Sequence, residues 1–255
     1  MPSSAVAQAK RGLGFAGGII GVDTFDPVAA LTFDDGPCRA STPAILDVLG
    51  THGAQATFFM LGDRARRDPE LVAEVAARGH VIGVHGWDHD SIVRDAPAGA
   101  AARVRWRRDQ RTRTLDALGP VGSRLYRPPF GHATMASRIE ARLNGCTTVM
   151  WTFGGRDWID QPPSPTADRV EARLKPGSII VLHDALYDAC GPRPALCAAL
   201  SIVLERHEEY QWLTVPAMLA RGVPRFGFRF GASPDASVAD STAHAEEPCH
   251  HDVSP

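Results

Sequence analysis

Val28-Ala-Ala-Leu-Thr-Phe-Asp-Asp-Gly-Pro37 is an apolar run that stops abruptly at two adjacent carboxylates. Val28 to Phe33 suits a strand buried on both faces, as a parallel sheet requires. Gly36-Pro37 then turns the backbone. Successive side chains of a strand point to opposite faces, so Asp34 and Asp35 can serve one site only if the chain twists past the strand end. Two carboxylates that close resist ionising together unless a positive charge sits beside them. The stretch thus asks for a parallel sheet and for a cation at the C-terminal end of one of its strands.

The same alternation continues along the chain. Ala56 to Leu61, Val81 to Val84, Leu125-Tyr126, Thr147 to Thr152, Ser178 to Leu182 and Gln211 to Thr214 read as further strands. Helices are expected near 42–49, 69–78, 97–118, 133–143, 166–174, 194–208 and 215–220. Thr42-Pro43 and Asp68-Pro69 each put a capping side chain before a proline suited to the first helical position. Strands alternating with helices predict a parallel sheet with helices outside it. At 255 residues a distorted (β/α) barrel, TIM-barrel-like with about seven parallel strands, is the economical arrangement. Residues 1–27 form an N-terminal segment without strong periodicity. Residues 28–225 form one domain, and 226–255, rich in Gly, Ser, Ala, Asp and Pro, a disordered tail. The tail's His244, Cys249, His250, His251 and Asp252 are read as non-catalytic.

A formal charge of −2 gives no reason to expect a nucleic-acid partner. No apolar run reaches the roughly 18 residues of a membrane span. The arginines at 103, 105, 107, 108, 111 and 113 are read as a solvated helix face. After Lys10-Arg11, the glycine-rich stretch 12–22 lacks the dense apolar core of an export signal. A cytoplasmic location is therefore expected, with secretion or a cell-envelope location as the alternative. Five cysteines without a C-x-x-C pair read as free thiols, with a Cys190–Cys197 bridge as the alternative in an oxidising compartment.

The chemistry-bearing residues fall just after strands, where a barrel's C-terminal strand ends share one mouth. His85-Gly-Trp-Asp-His89 places two imidazoles four apart, able to chelate one ion if the segment makes a helical turn. With Asp35 they make a two-histidine, one-carboxylate set that leaves coordination positions open. Zinc is the default, and Fe(II), Co(II) and Mn(II) also suit the set. Asp34 is then a spare carboxylate, able to accept a proton from water as it becomes a nucleophile. Arg127 is either a surface cation or a rigid guanidinium that holds Asp34. His183 is either a satisfied core histidine or a general acid across the mouth from Asp34. Asp157 offers a carboxylate to orient it, and Trp158 an indole to line a sugar-sized pocket.

Thr32-Phe-Asp-Asp-Gly-Pro37, His85-x-x-x-His89, Arg127-Pro-Pro-Phe-Gly131, Asp157-Trp158 and Val181-Leu-His183 resemble, in order and spacing, the motifs of the polysaccharide deacetylases. These are the carbohydrate esterases that include chitooligosaccharide and peptidoglycan deacetylases, and the resemblance runs from about Val28 to Gly222. It implies a distorted (β/α) barrel. It also implies Asp34 as catalytic base, Asp35, His85 and His89 as metal ligands, and His183 as catalytic acid. Arg127 and Asp157 become the partners of base and acid. Pro129 and Phe130 would bind substrate, the Phe130 N–H holding the oxyanion, while Trp158 and Val181 border the acetyl pocket. Three positions depart from the pattern. Gly86 replaces Ser or Thr, removing a loop-bracing hydrogen bond; Val181 replaces Leu; Gly154 stands where an acid is common.

The expected function is metal-dependent removal of acetyl groups from N-acetylated sugars of an oligo- or polysaccharide. Alternatives are O-acetyl xylan esterase activity at the same site, a catalytically silent carbohydrate-binding module, and an Fe(II) oxygenase. Asp34 and His183 together speak against the last two, which have no use for an opposed base and acid.

Overall fold

The computed structural model of the chain describes residues 17–89 and 97–227. β1 (Gly18–Asp23) and β2 (Val28–Asp34) come first, followed by α1 (Thr42–Thr51), β3 (Ala56–Met60), α2 (Gly62–Arg67), α3 (Pro69–Ala77) and β4 (Val81–Val84). Then come α4 (Ala100–Leu118), β5 (Gly122–Tyr126), α5 (Met135–Leu143), β6 (Thr147–Thr148), β7 (Phe153–Gly154) and α6 (Pro163–Glu171). β8 (Ser178–His183), α7 (Pro194–Arg206), β9 (Gln211–Trp212), α8 (Val215–Leu219) and β10 (Val223–Gly227) complete the described chain.

β2 is buried along its whole length because parallel strands flank it on both sides, β3 on one and β8 on the other. The sheet runs β10-β1-β8-β2-β3-β4-β5-β6, with β7 added beside β8 and β9 beside β2. A bridge between Ile19 and Val149, with the Met150 N–H donating to the Ile19 carbonyl at 2.7 Å, draws the β6 end back to β1. The sheet thereby curls into a deformed (β/α) barrel of mostly parallel strands.

The two-residue period sorts side chains between two cores. Ala29, Leu31 and Phe33 of β2, with Ile180 and Leu182 of β8, join the larger cluster under the helices. Val28 and Ala30, with Ile179, join a smaller cluster that includes Phe59, Leu125 and Val149. Continuing these second faces by twos leads from Ala30 through Thr32 to Asp34, from Ile179 through Val181 to His183, and from Leu125 to Arg127. Three strands thus carry their apolar residues low on one face and their polar residues at its C-terminal end.

Several expectations are corrected. β1 and β10 lie in segments expected to have no strand, and they pair antiparallel with each other. Glycine-rich composition hid β1, whose Gly21 is required by close approach: a Cβ there would collide with Arg225 and come within 2.9 Å of the Gly177 carbonyl. The expected strand at 147–152 forms only over its first two residues, as β6, with β7 a separate short piece just beyond its end, and the helix α2 was not foreseen. Thr42 does not cap α1: Ser41 occupies the cap position, and the Thr42 hydroxyl donates to Asp184 at 2.6 Å instead. Asp68 does cap α3, accepting from the Leu71 N–H at 3.2 Å. The arginine-bearing α4 is not wholly a solvated face. Arg111 is buried and paired with Glu140 at 2.6 Å, and Arg113 stacks 3.9 Å above the Trp87 ring. The reading of the tail from 228 onward lies outside the described residues.

Candidate active site

Asp35 leaves the β2 trace at φ 75°, in the left-handed region that a side chain rarely adopts. Such a conformation typically costs about 1–3 kcal/mol. It reverses the alternation of the strand, so that Asp35 turns to the same site as Asp34. Gly36 follows with no room for a side chain, because a Cβ there would run into the Asp184 carboxylate.

His85 and His89 converge with Asp35, all three buried and with ligand atoms within 4.8 Å of one another. The histidines meet through a loop rather than the helical turn expected, with Gly86 at φ 110° making the bend. The brace expected to be missing at Gly86 is supplied by backbone. The first amides of α2, at Gly62 and Asp63, donate to the carbonyls of Gly86 and Trp87 at 2.9 Å each.

The residues fit a divalent cation. Asp35 Oδ1 is buried with no hydrogen-bond partner among the described residues, although both imidazole Nε2 atoms lie 3.3 Å away. His85 Nδ1 lies 2.9 Å from the Arg127 carbonyl, which places the proton on Nδ1 and leaves the Nε2 lone pair free for a metal. Burial holds His89 neutral, its pKa lowered to about 3. Burial pushes the Asp35 carboxyl up, but the contact and charge of His85, with the charges of His183 and His89, bring it down to about 2. Asp35 is thus an anionic donor and His89 a neutral one, with the Nε2 of His85 3.3 Å from the same Asp35 oxygen.

Arg127 is completely buried and spends its guanidinium on four acceptors. Nη1 donates to Asp34 Oδ1 at 2.7 Å and to Thr32 Oγ1 at 2.8 Å. Nη2 donates to the Met150 carbonyl at 2.8 Å and Nε to the Val149 carbonyl at 3.2 Å. The ring of Phe59 lies 4.2 Å beneath it. The inward-facing alternative for Arg127 is therefore the observed one, and Asp34 is oriented by it.

His183 is not across the mouth from Asp34, as expected. Strands β2 and β8 are neighbours, and Asp34 and His183 are register partners. Sheet order, which local pattern does not encode, decides this. Asp157 accepts from the His183 backbone N–H at 2.8 Å through Oδ2, and its Oδ1 lies 3.0 Å from His183 Nδ1. Burial alone would lower the His183 pKa; the charge and hydrogen bond of Asp157 outweigh it and raise the pKa to about 9. The imidazolium is the form this setting favours at neutral pH, and its Nε2 is left to act as a proton donor.

Phe130, Trp158 and Tyr187 stand half-exposed around these groups. Phe130 packs edge-on against His89 with ring centres 4.0 Å apart, and Trp158 edge-on against His183 at 5.5 Å. A Cβ on Gly154 would lie 3.3 Å from Val181 and 3.8 Å from Trp158, so both side chains flank this glycine. Pro129 is buried beside them and lies 3.2 Å from where a Cβ on Gly86 would stand.

Sequence reading missed the segment after His183. Asp184 is buried, accepting from the Gly36 N–H at 3.0 Å and from Thr42, and it joins β8 to the Asp35 turn. Tyr187 stacks on His89 with ring centres 5.2 Å apart. Arg64 donates to the carbonyls of Asp35 and Leu186, at 2.9 and 2.8 Å. A disulfide joins Cys38 to Cys190, correcting the expectation of free thiols and of any Cys190–Cys197 bridge. Cys146 and Cys197 are free. The two linked cysteines stand 152 positions apart, a spacing that carries no pairing signal.

Residues 21–149 match the polysaccharide deacetylase family. A peptidoglycan-N-acetylglucosamine deacetylase of Bacillus cereus is 32% identical over 206 residues, covering 76% of this chain and 89% of that protein. A chitooligosaccharide deacetylase of Azorhizobium caulinodans is 32% identical over 201 residues, covering 75% and 88%. The solved structure of the peptidoglycan deacetylase PdaC from Bacillus subtilis superimposes with a TM-score of 0.64 at 29% identity, over 78% of this chain and 93% of that one.

Proposed function

Because the chain belongs to the polysaccharide deacetylase family, we propose that it is a metal-dependent hydrolase removing acetyl groups from N-acetylated sugars of a peptidoglycan- or chitooligosaccharide-type glycan. The observation that carries the proposal is the pairing of Asp34 and His183 on adjacent strands, with Asp35, His85 and His89 gathered beside them. Those three residues would hold the cation, zinc by default, with Co(II), Fe(II) and Mn(II) also suited to the donors. When bound, it supplies Lewis acidity toward the acetamide carbonyl and toward water.

The chain's own groups do the proton work. Asp34, aimed by Arg127, accepts a proton from the water that attacks the acetyl carbon. The Phe130 N–H donates to the oxygen that becomes negative, a kind of contact typically worth about 3 kcal/mol. His183 gives its Nε2 proton to the sugar nitrogen as the C–N bond breaks, so that acetate and a free amine leave. Without that proton an amide nitrogen is a poor leaving group. Asp157 keeps the imidazolium in place, while Trp158 and Val181 border the acetyl methyl. The Cys38–Cys190 disulfide supports an exported enzyme working in an oxidising compartment over a cytoplasmic one.

The test is mass spectrometry of chitooligosaccharides, peptidoglycan fragments and acetylated xylan, each with and without a chelator. Deacetylation of an N-acetylated substrate, abolished by chelation and restored by zinc or cobalt, is expected. Acetate from xylan alone would reassign the chain to O-acetyl esters. No acetate from any substrate with zinc restored would make it a binding protein. Asp34→Asn and His183→Ala should each remove nearly all turnover while the fold is kept.

A further inference from the structure

Arg193 touches neither the ligand set nor Asp34 in any described contact, yet its guanidinium ends at the site. Its Nη2 donates to both the backbone carbonyl and the Oδ2 of Asp157, at 2.6 and 2.8 Å. Asp157 is thereby held from both its main chain and its side chain, while its remaining oxygen faces His183 Nδ1 at 3.0 Å. All three side chains are largely withdrawn from solvent, at 12% exposure for Arg193, 2% for Asp157 and 17% for His183.

The backbone that carries Arg193 has little freedom. Pro192 and Pro194 flank it, each with φ locked by its ring, and the residue before a proline is itself restricted. Three residues upstream, Cys190 is bonded to Cys38 on the loop that follows Asp34 and Asp35. Downstream, α7 begins, with the Cys197 N–H donating to the Arg193 carbonyl at 3.0 Å. A long, flexible side chain is thus presented from a rigid base, which lowers the entropy lost in holding it against Asp157.

We propose that Arg193 is a positioning residue for the proton donor: it fixes Asp157 in the one orientation that holds His183 by Nδ1 and leaves Nε2 toward the substrate nitrogen. The inference rests on the reading of His183 as acid. It goes beyond the five motifs, none of which includes position 193. Removing the guanidinium has two opposed effects on His183. Loss of a nearby cation would raise the imidazole pKa, whereas release of Asp157 from its orientation would lower it. A positioning role requires the second to win.

The experiment compares Arg193→Ala and Arg193→Lys with wild type in the zinc-loaded enzyme. Zinc content and Tm are measured alongside kcat, KM and the pH profile. For Arg193→Ala, kcat should fall roughly tenfold to a hundredfold, as when a group that orients an active-site side chain is lost. KM should stay within about twofold and the basic limb of kcat should move to lower pH by about one unit. Added guanidinium should restore both kcat and limb in this variant and leave wild type unchanged. Arg193→Lys keeps the charge but cannot reach both acceptors as closely, so it should lie between the two, and it carries the test if the alanine variant does not fold. A basic limb that stays in place or moves to higher pH in these variants overturns the proposal, as does lost turnover that guanidinium does not rescue. His183→Ala separates this failure from the earlier one. Substantial turnover in that variant removes the reading of His183 as acid, whereas an inactive His183→Ala beside an unmoved limb removes only the role of Arg193.

Discussion

On one side of the site Arg127 is sealed inside the barrel, and every acceptor it uses belongs to β2 or to residues 149–150 just past β6. On the other, His183 is reached by Asp157 and Arg193, and the segment bearing Arg193 is fastened by a disulfide, by Asp184 and by Arg64. Asp34, the proposed base, is held by the core, and His183, the proposed acid, by a strap. A core-held group cannot be removed without leaving a buried charge unpaired, whereas a strap-held group can be loosened with the barrel intact. Stability and activity should therefore separate differently on the two sides.

Arg127→Ala is expected to have the largest effect. It leaves the buried Asp34 carboxyl without its guanidinium partner, and breaking such a buried pair typically costs about 3–5 kcal/mol. Chemical denaturation should show that loss together with loss of activity, and a variant that unfolds at the wild-type denaturant concentration would break the contrast. Asp157→Asn comes next. Replacing the carboxylate that orients a catalytic imidazole typically lowers kcat by about 10⁴ in a serine-protease triad, and a fall of at least 10² is expected here. Tm should drop by less than in Arg127→Ala.

Cys190→Ser should act more mildly. It frees the strap and removes a cross-link typically worth about 2–4 kcal/mol, read as a lower denaturation midpoint that non-reducing peptide mapping ties to the Cys38–Cys190 bond. Its kcat should fall while zinc affinity stays near wild type, because none of the three proposed ligands, Asp35, His85 and His89, lies on the strap. Equal loss of zinc would show that both sides share one support.

The smallest effect is a titration. The folded His183 pKa is raised to about 9, above the ordinary value of 6.5. The stabilisation it contributes is therefore complete below pH 6.5 and lost as pH rises through about 9. NMR of the metal-free protein should place the imidazole titration in that region. Zinc should move it to lower pH by repulsion. Tm of His183→Ala should lose the corresponding decline between neutral and alkaline pH.

Much of the site was legible because each of its parts announces itself locally. An apolar run that halts at Asp34-Asp35, imidazoles four apart at His85 and His89, and a guanidinium ahead of two prolines at Arg127 are patterns within a few residues. What escaped notice lacks such a pattern. In β1, Gly21 passes too close to Gly177 and Arg225 for a side chain, so composition suggests a loop where closeness to neighbouring segments calls for glycine within a strand. Asp184, Tyr187 and Arg193 sit in a segment whose Gly-Pro-Arg-Pro stretch reads as a turn, and their partners lie on other elements.

From its own order of residues the chain determined the alternation of strands and helices and the polar groups at strand ends. These follow from side-chain periodicity and turn chemistry, which act over a few residues. Only the folded molecule decided that β1 closes the barrel, that Asp34 and His183 are neighbours rather than opposites, that Cys38 finds Cys190, and that Arg193 reaches Asp157. Those relations depend on the order of strands in the sheet and on packing between residues distant along the chain, where no local period survives to signal them.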